Sequence, residues 1–298
     1  MSAVTQRHRV RRDPVNALLG VWGIAVFVFL FLPILMIVIY SFNDGRALVV
    51  WNEFGIRPYV DALDNPTIRN AIFTSIRAAL GAALIATVCG SLAGIALARR
   101  PGKWTFVFLS LLFLVLVTPE IVDAIALLIW YVRIGGPFGP DNDILNYGLF
   151  RLWVAHSIFA TAVVTLIVRA RLAGLDEALE EASADLYAAP AQTFRKITLP
   201  LMMPAVLAGA LLAFSLSLDN TIISSFVSTA NASPWPVYVL SSIRAVMRPE
   251  IAAMSTLVLL LTLFALALVA IVLRRGGASS EESLAMIAGA EVAPGAQP

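Results

Sequence analysis

Four ionisable side chains sit within otherwise apolar stretches: Arg77, Glu120, Asp123 and Asp219. A carboxylate at the centre of a bilayer costs about 2.5–3.5 kcal/mol or more, so each acid must face a bundle interior or a water-filled path. Glu120 and Asp123 are three apart and share a helix face. They follow Pro119, where freed carbonyls add negative potential. Asp219 is flanked by Ser215, Ser217, Asn220 and Thr221, a polar collar that suits the wall of a pathway. Two roles fit these acids. They can draw a cationic solute along a route, or pair with Arg77 as buried ion pairs that fix packing.

Bond-making chemistry finds no support. No GxxxxGK[ST] phosphate cradle occurs, since Gly102-Lys103 lacks the upstream glycine and is followed by Trp104. The two histidines, His8 and His156, and the single Cys89 form no metal-binding cluster. His156 and Ser157 are adjacent, so on a helix they point about 100° apart and cannot pair as base and nucleophile. The chain reads as a non-enzyme with no cofactor of its own.

A second cluster is acidic and lies outside the apolar stretches. The segment 170–200 contains LDEALEEASADLYAAPAQTFRKITLP. Leu175, Leu179, Ala182 and Leu186 fall on one stripe of a short helix, with Glu177, Glu180, Glu181 and Asp185 elsewhere around it. The acids crowd its start, where they suit the helix dipole. Pro190 fits the first turn of a second helix, expected to end before Pro200. Such a pair of helices is either an amphipathic connector resting on lipid headgroups or a docking element for a partner.

The elements that carry these groups follow from composition. Of 298 residues, 59% are apolar and 13% charged, against roughly 45–50% and 25% in soluble domains. That excludes a soluble globular domain, and a net charge of +2 gives no reason to expect nucleic acid. Six stretches are long enough to span a bilayer: Ala17–Tyr40, Asn70–Ala98, Trp104–Val132, Leu152–Arg169, Leu201–Val227 and Ile251–Leu273. The third is expected to kink or break at Thr118-Pro119-Glu120. With the N-terminus inside, thirteen basic residues fall on the inner side (Arg7, Arg9, Arg11, Arg12, Arg99, Arg100, Lys103, Arg169, Arg171, Arg195, Lys196, Arg274, Arg275). Seven fall outside (Arg46, Arg57, Arg69, Arg133, Arg151, Arg244, Arg248). Both termini are therefore expected in the cytoplasm. The expected organisation is a basic tail over 1–16, a six-helix domain over 17–275 and a disordered tail over 276–298.

The residues of the 170–200 segment also carry a resemblance. Glu181-Ala182-Ser183, Asp185-Leu186 and Phe194 through Leu199-Pro200 resemble the EAA loop of ABC-transporter permease subunits. Ser215 through Asn220, Ser224-Ser225-Phe226 and Thr118 through Val122 are similar to the spermidine/putrescine branch, in its second-permease type. The resemblance implies an all-α polytopic type I ABC-importer permease in a bacterial inner membrane. It implies a second permease of a different chain, two ATP-binding subunits that carry the ATP and Mg, and a periplasmic solute-binding protein. It assigns Glu181, Ala182, Ser183, Asp185, Leu186, Tyr187, Leu199 and Pro200 to ATPase coupling. Asp219, Glu120, Asp123 and Asn220 become the path for a polyamine or another amine.

Two residues depart from the family pattern: Tyr187 replaces a glycine, and Ala189 replaces a serine or threonine. A left-handed tyrosine costs on the order of 1 kcal/mol relative to glycine, and a lost capping hydroxyl about 0.5–2 kcal/mol. The outer loops, with Trp51, Tyr59, Gly135-Gly136-Pro137 and Ser233-Pro234-Trp235-Pro236, suit contact with an external protein or an ordinary solvated surface. Against the importer stand an ion-driven carrier, for which no inverted repeat is visible, and a membrane scaffold that transports nothing.

Overall fold

A computed structural model of the chain describes residues 14–45, 47–48, 50–134, 148–244 and 247–275. Arg46, the basic cluster Arg7 to Arg12, the glycine-rich 135–143 stretch and the 276–298 tail lie outside the described residues. What is described is helical, with only isolated bridges at Asn43–Phe54 and Thr229–Ala232. Five helices are long and apolar enough to cross a membrane, and a sixth crossing requires one bent pair to count as a single span. The described residues form two compact units.

One unit holds the residues up to Ala62 together with Met247–Leu257. Its long helix α1 (Pro14–Tyr40) is apolar from Ala17 onward and exposed from Leu18 to Met36. The chain then folds around Asn43, whose buried amide donates to the Val50 carbonyl (2.7 Å) and accepts from the Asn52 N–H (2.9 Å). Phe42 stacks on Phe54, and Tyr59 shares a 2.7 Å hydrogen bond with Ser41 at the start of helix α2 (Arg57–Asp64).

The other unit, from Leu63 to Arg244 with the later part of the last helix, holds both residue clusters of interest. Helix α3 (Pro66–Arg99) begins after Asn65, whose side chain caps the Thr67 N–H at 3.0 Å. It buries a run of small residues, including Ala78, Ala82, Ala86, Gly90 and Gly94, against helix α6 (Gly148–Ala173). A methyl group on Gly90 would lie 2.8 Å from Val164 Cβ, and one on Gly94 2.9 Å from the Thr165 carbonyl. The two helices approach so closely only because those positions carry no side chain.

Helix α4 (Lys103–Val117) is 15 residues long, about 22 Å, which is short of the ~30 Å hydrocarbon core. Pro119 holds Thr118 in extended backbone (φ −61°, ψ 129°). The chain turns by 100° into helix α5 (Glu120–Ile129), prolonged by a π-turn at Trp130–Ile134. The expected break is present.

Three expectations are corrected. The segment from Pro190 does not end before Pro200. Helices α7 (Ala178–Asp185) and α8 (Pro190–Thr193) precede a π-turn, Phe194–Thr198, that runs straight into helix α9 (Leu199–Leu218). Its Leu199 N–H bonds the Phe194 carbonyl five residues back, and this wider turn accommodates Pro200, which cannot donate. The fifth span in turn stops at Leu218 rather than Val227, and Asp219 caps it instead of lying mid-helix. Asn220 and Thr221 divert the backbone: Asn220 Oδ1 accepts from the Ser224 N–H (3.3 Å), and Thr221 Oγ1 donates to the Asp219 carbonyl (3.2 Å). Short helix α10 (Ile222–Val227) follows, then α11 (Trp235–Ser242) and α12 (Pro249–Arg275). Trp235, expected on an outer surface, is buried, and its backbone N–H donates to Ser75 Oγ at 2.8 Å.

Candidate functional site

The acidic loop is held at its base and bare at its tip. Arg99, the last residue of α3, donates from Nη1 to Glu177 (3.1 Å) and from Nη2 to Glu180 (2.9 Å). The same Glu180 oxygen accepts from Thr198 Oγ1 at 2.8 Å. Ser183 is buried against Thr193, with 2.7 Å between their hydroxyl oxygens. At the start of α7, Asp176 accepts from the Ala178 N–H at 2.9 Å.

Helix α7 ends with the Tyr187 N–H on the Ala184 carbonyl (2.9 Å) and the Ala188 N–H on the Ser183 carbonyl (3.1 Å). That pair of bonds is the Schellman ending, which places the residue after the C-cap in the left-handed region. Tyr187 occupies that position with φ 59°, where glycine would be unstrained. Ala189 offers no side-chain cap to α8, as its missing hydroxyl requires. The expected apolar stripe is divided: Leu175 packs on the α3–α6–α9 core, whereas Leu179 and Leu186 are exposed. Leu186 is 81% exposed and Tyr187 97%, so the tip presents uncovered apolar surface. Glu181, Ala182 and Asp185 face outward, and Glu181 has no side-chain hydrogen bond among the described residues. Leu199 packs against the core, and Pro200 is exposed on the first turn of α9.

The second site lies where the two helix breaks meet. Asn220, between α9 and α10, donates its amide to Glu120, the first residue of α5. Glu120 and Asp123 are half-buried, and Asp219 is exposed. The ion pairs weighed for Arg77 do not form. Arg77 is exposed, lies 6.0 Å from the Phe73 ring and bonds none of the acids among the described residues. Its carbonyl accepts from Trp153 Nε1 at 2.8 Å.

Behind this junction is a residue that the sequence did not single out as positioning anything. His156 on α6 is buried, with Nδ1 2.7 Å from Ser217 Oγ and Nε2 2.9 Å from Ser224 Oγ. Ser217 belongs to the last turn of α9 and Ser224 to α10, so one imidazole bridges both sides of the break. Ser157 instead donates to the Val154 carbonyl, as expected for adjacent residues that point apart. The hydroxyls spaced through Ser215–Ser225 were the available signal for a buried polar partner.

Comparison with known proteins agrees with this architecture. Residues 86–276 match the family described as "Binding-protein-dependent transport system inner membrane component". The chain is 38% identical over 245 residues to the putrescine transport system permease protein PotI of Escherichia coli K12, covering 80% of this chain and 85% of that protein. It is 34% identical over 250 residues to the spermidine/putrescine transport system permease protein PotC of Haemophilus influenzae, covering 84% and 94%. A chain of a bacterial ABC transporter involved in import of the acidic polysaccharide alginate superposes with TM-score 0.61 at 13% identity, over 92% of this chain and 99% of that one. A chain of the inward-facing MetNI methionine ABC transporter gives 0.52 at 18%, over 74% and 99%.

Proposed function

The chain belongs to the binding-protein-dependent transport system inner membrane components, and from that premise we propose that it forms half of a translocation path for a cationic polyamine of the spermidine/putrescine class. It is a multi-pass ABC-importer permease of the inner membrane that works with other components of such a transporter. In our reading these are a second permease of a different chain, two ATP-binding subunits that hold ATP and Mg, and a periplasmic solute-binding protein. Both termini face the cytoplasm, in keeping with the basic-residue asymmetry.

Closure of the ATP-binding subunits pushes on the exposed tip at Leu186 and Tyr187, and Glu181 contacts the same partner. The permease rocks between inward- and outward-open states whose contacts with that partner differ. Solute passes Asp219, Glu120, Asp123 and Asn220.

The observation that carries the substrate reading is the junction of the two breaks, where Glu120 on α5 meets Asn220 beside Asp219. Non-helical backbone in a membrane protein is tolerated where protein buries it or water lines it. Acids placed there without a cationic partner among the described residues favour an amine over an anion. The 20 residues of Leu199–Leu218, about 30 Å of helix, support a position for Asp219 toward the outer end of the path, where solute enters in this reading.

Asp219→Asn in the assembled importer, reconstituted with its binding protein, is expected to lower putrescine uptake while leaving assembly and basal ATP hydrolysis intact. Unchanged uptake across a substrate titration would remove Asp219 from the route. Uptake by this chain alone in liposomes, driven by an ion gradient, would overturn the importer reading itself.

A further inference from the structure

Helix α6 leads into the loop and α9 leads out of it, whereas α3 meets the loop only in space. Helix α9 follows directly from the loop through the π-turn, so any displacement of the loop pulls on α9 through covalent bonds. Helix α3 has no such connection, since 81 residues separate Arg99 from Glu180. Their link is a side-chain contact in which Glu180 Oε1 accepts from Arg99 at 2.9 Å and from Thr198 at 2.8 Å. One carboxylate oxygen thus ties α7 to the end of α3 and to the start of α9.

The two prongs of Arg99 are unequal. The Arg99 side chain is 17% exposed, Glu180 31% and Glu177 74%. The Glu177 prong is open to solvent and salt, whereas the Glu180 prong is shielded and shares a second donor. Helix α3 is in turn locked to α6 at Gly90 and Gly94, where the contact leaves no room for sliding.

We propose that Arg99 and Glu180 are the positioning pair that makes the loop and α3 move as one body. Displacement of the loop by the ATP-binding partner is then delivered to α3 as well as along the chain to α6 and α9. This rests on the coupling role of the loop given above. The role it adds is carried by Glu180 inside the chain, distinct from Glu181, which faces outward.

The test uses the complete importer in proteoliposomes, with its binding protein and ATP-binding chains, and reads putrescine taken up per ATP hydrolysed. Arg99→Gln and Glu180→Ala are each expected to lower that ratio about 3- to 30-fold, the range over which residues along a coupling route act. The ATP-binding chain should still co-purify at its normal ratio, and the double variant should be no worse than the stronger single one. A normal ratio in either single variant, or losses that multiply in the double, would overturn the pairing. If those variants fail to assemble, Arg99→Lys carries the same test, because an ammonium cannot hold both carboxylates in the fork that a guanidinium does.

Leu186→Asp separates the two levels of the reading. It is expected to strip the ATP-binding chain from the purified complex. A complex that keeps that chain and its uptake would refute the loop's coupling role altogether. Loss of the chain in Leu186→Asp, alongside a normal ratio in Arg99→Gln, would refute only the Arg99–Glu180 link.

Discussion

Replacing His156 with leucine tests whether the α9/α10 break is held by hydrogen bonds or merely by packing. His156, Ser217 and Ser224 are 4%, 5% and 0% exposed, so neither hydroxyl can turn to water when the imidazole is lost. A buried hydroxyl left without its partner costs about 1–3 kcal/mol. Polar contacts between membrane helices average only about 0.6 kcal/mol, with a maximum near 1.7, because the unfolded reference also finds partners. Two such bonds at 2.7 and 2.9 Å therefore predict a loss of about 1–3 kcal/mol for His156→Leu. The cavity contribution is small because leucine fills a similar volume. The triple variant His156→Leu, Ser217→Ala, Ser224→Ala removes donors and acceptors together, so it should recover most of the loss despite carrying more substitutions. SDS titration of the purified permease measures both. A single variant within about 0.5 kcal/mol of the parent, or a triple variant less stable than the single, would refute the hydrogen-bonded staple.

Tyr187→Gly should relieve left-handed strain of up to about 1 kcal/mol and slow hydrogen exchange at the Tyr187 and Ala188 amides, whereas Tyr187→Ala keeps the strain and should not. Equal exchange in the two variants would count against strain at φ 59°. Gly90→Ala places a methyl 2.8 Å from Val164 Cβ and 3.0 Å from the Thr161 carbonyl, so α3 and α6 must part at a cost of about 1–3 kcal/mol. The double variant Gly90→Ala, Val164→Ala should recover part of that cost. No loss in Gly90→Ala, again by SDS titration, would show that the approach of α3 to α6 can relax.

What could be read from the residues in order depended on whether the cause was local. The α4/α5 break was legible because proline both lacks a donor and restricts the residue before it, and Thr118-Pro119 shows both effects. The α9/α10 break was not. It contains neither glycine nor proline, and the apolar Ile222 and Ile223 continue the hydropathy of a span beyond Asp219. Pro200 misled in the opposite sense, since a π-turn shifts the hydrogen-bond register and lets the helix pass through it. Tyr187 was legible only as a departure from a pattern that has glycine there, and its positive φ follows from the Schellman bonds around it. Long-range pairings were out of reach. Arg99 meets Glu180 across 81 residues, and His156 meets Ser217 and Ser224 across 61 and 68.

Those same long-range contacts connect the two sites through packed elements. From the loop, Glu180 engages Arg99 at the end of α3. Helix α3 cannot slide on α6 because Gly90 and Gly94 seat against Val164, Thr165 and Val168. Helix α6 carries His156, which bonds both sides of the break that presents Asp219 and Asn220. On this α3 branch, which runs beside the covalent routes into α6 and α9, the weakest joint sets how much force passes. An exposed ion pair is worth about 0.2–1 kcal/mol, and the Glu177 prong is of that kind, with Glu177 74% exposed. The Glu180 prong is better shielded and doubly bonded, yet it remains the joint nearest to water, whereas the glycine contacts and the His156 staple are buried. Uncoupling should therefore begin at Arg99 and Glu180, with the membrane-embedded contacts intact. Because the Glu180 prong is shielded, raising ionic strength should lower uptake per ATP in the parent importer far less than Arg99→Gln does, and an equal loss would refute that shielding.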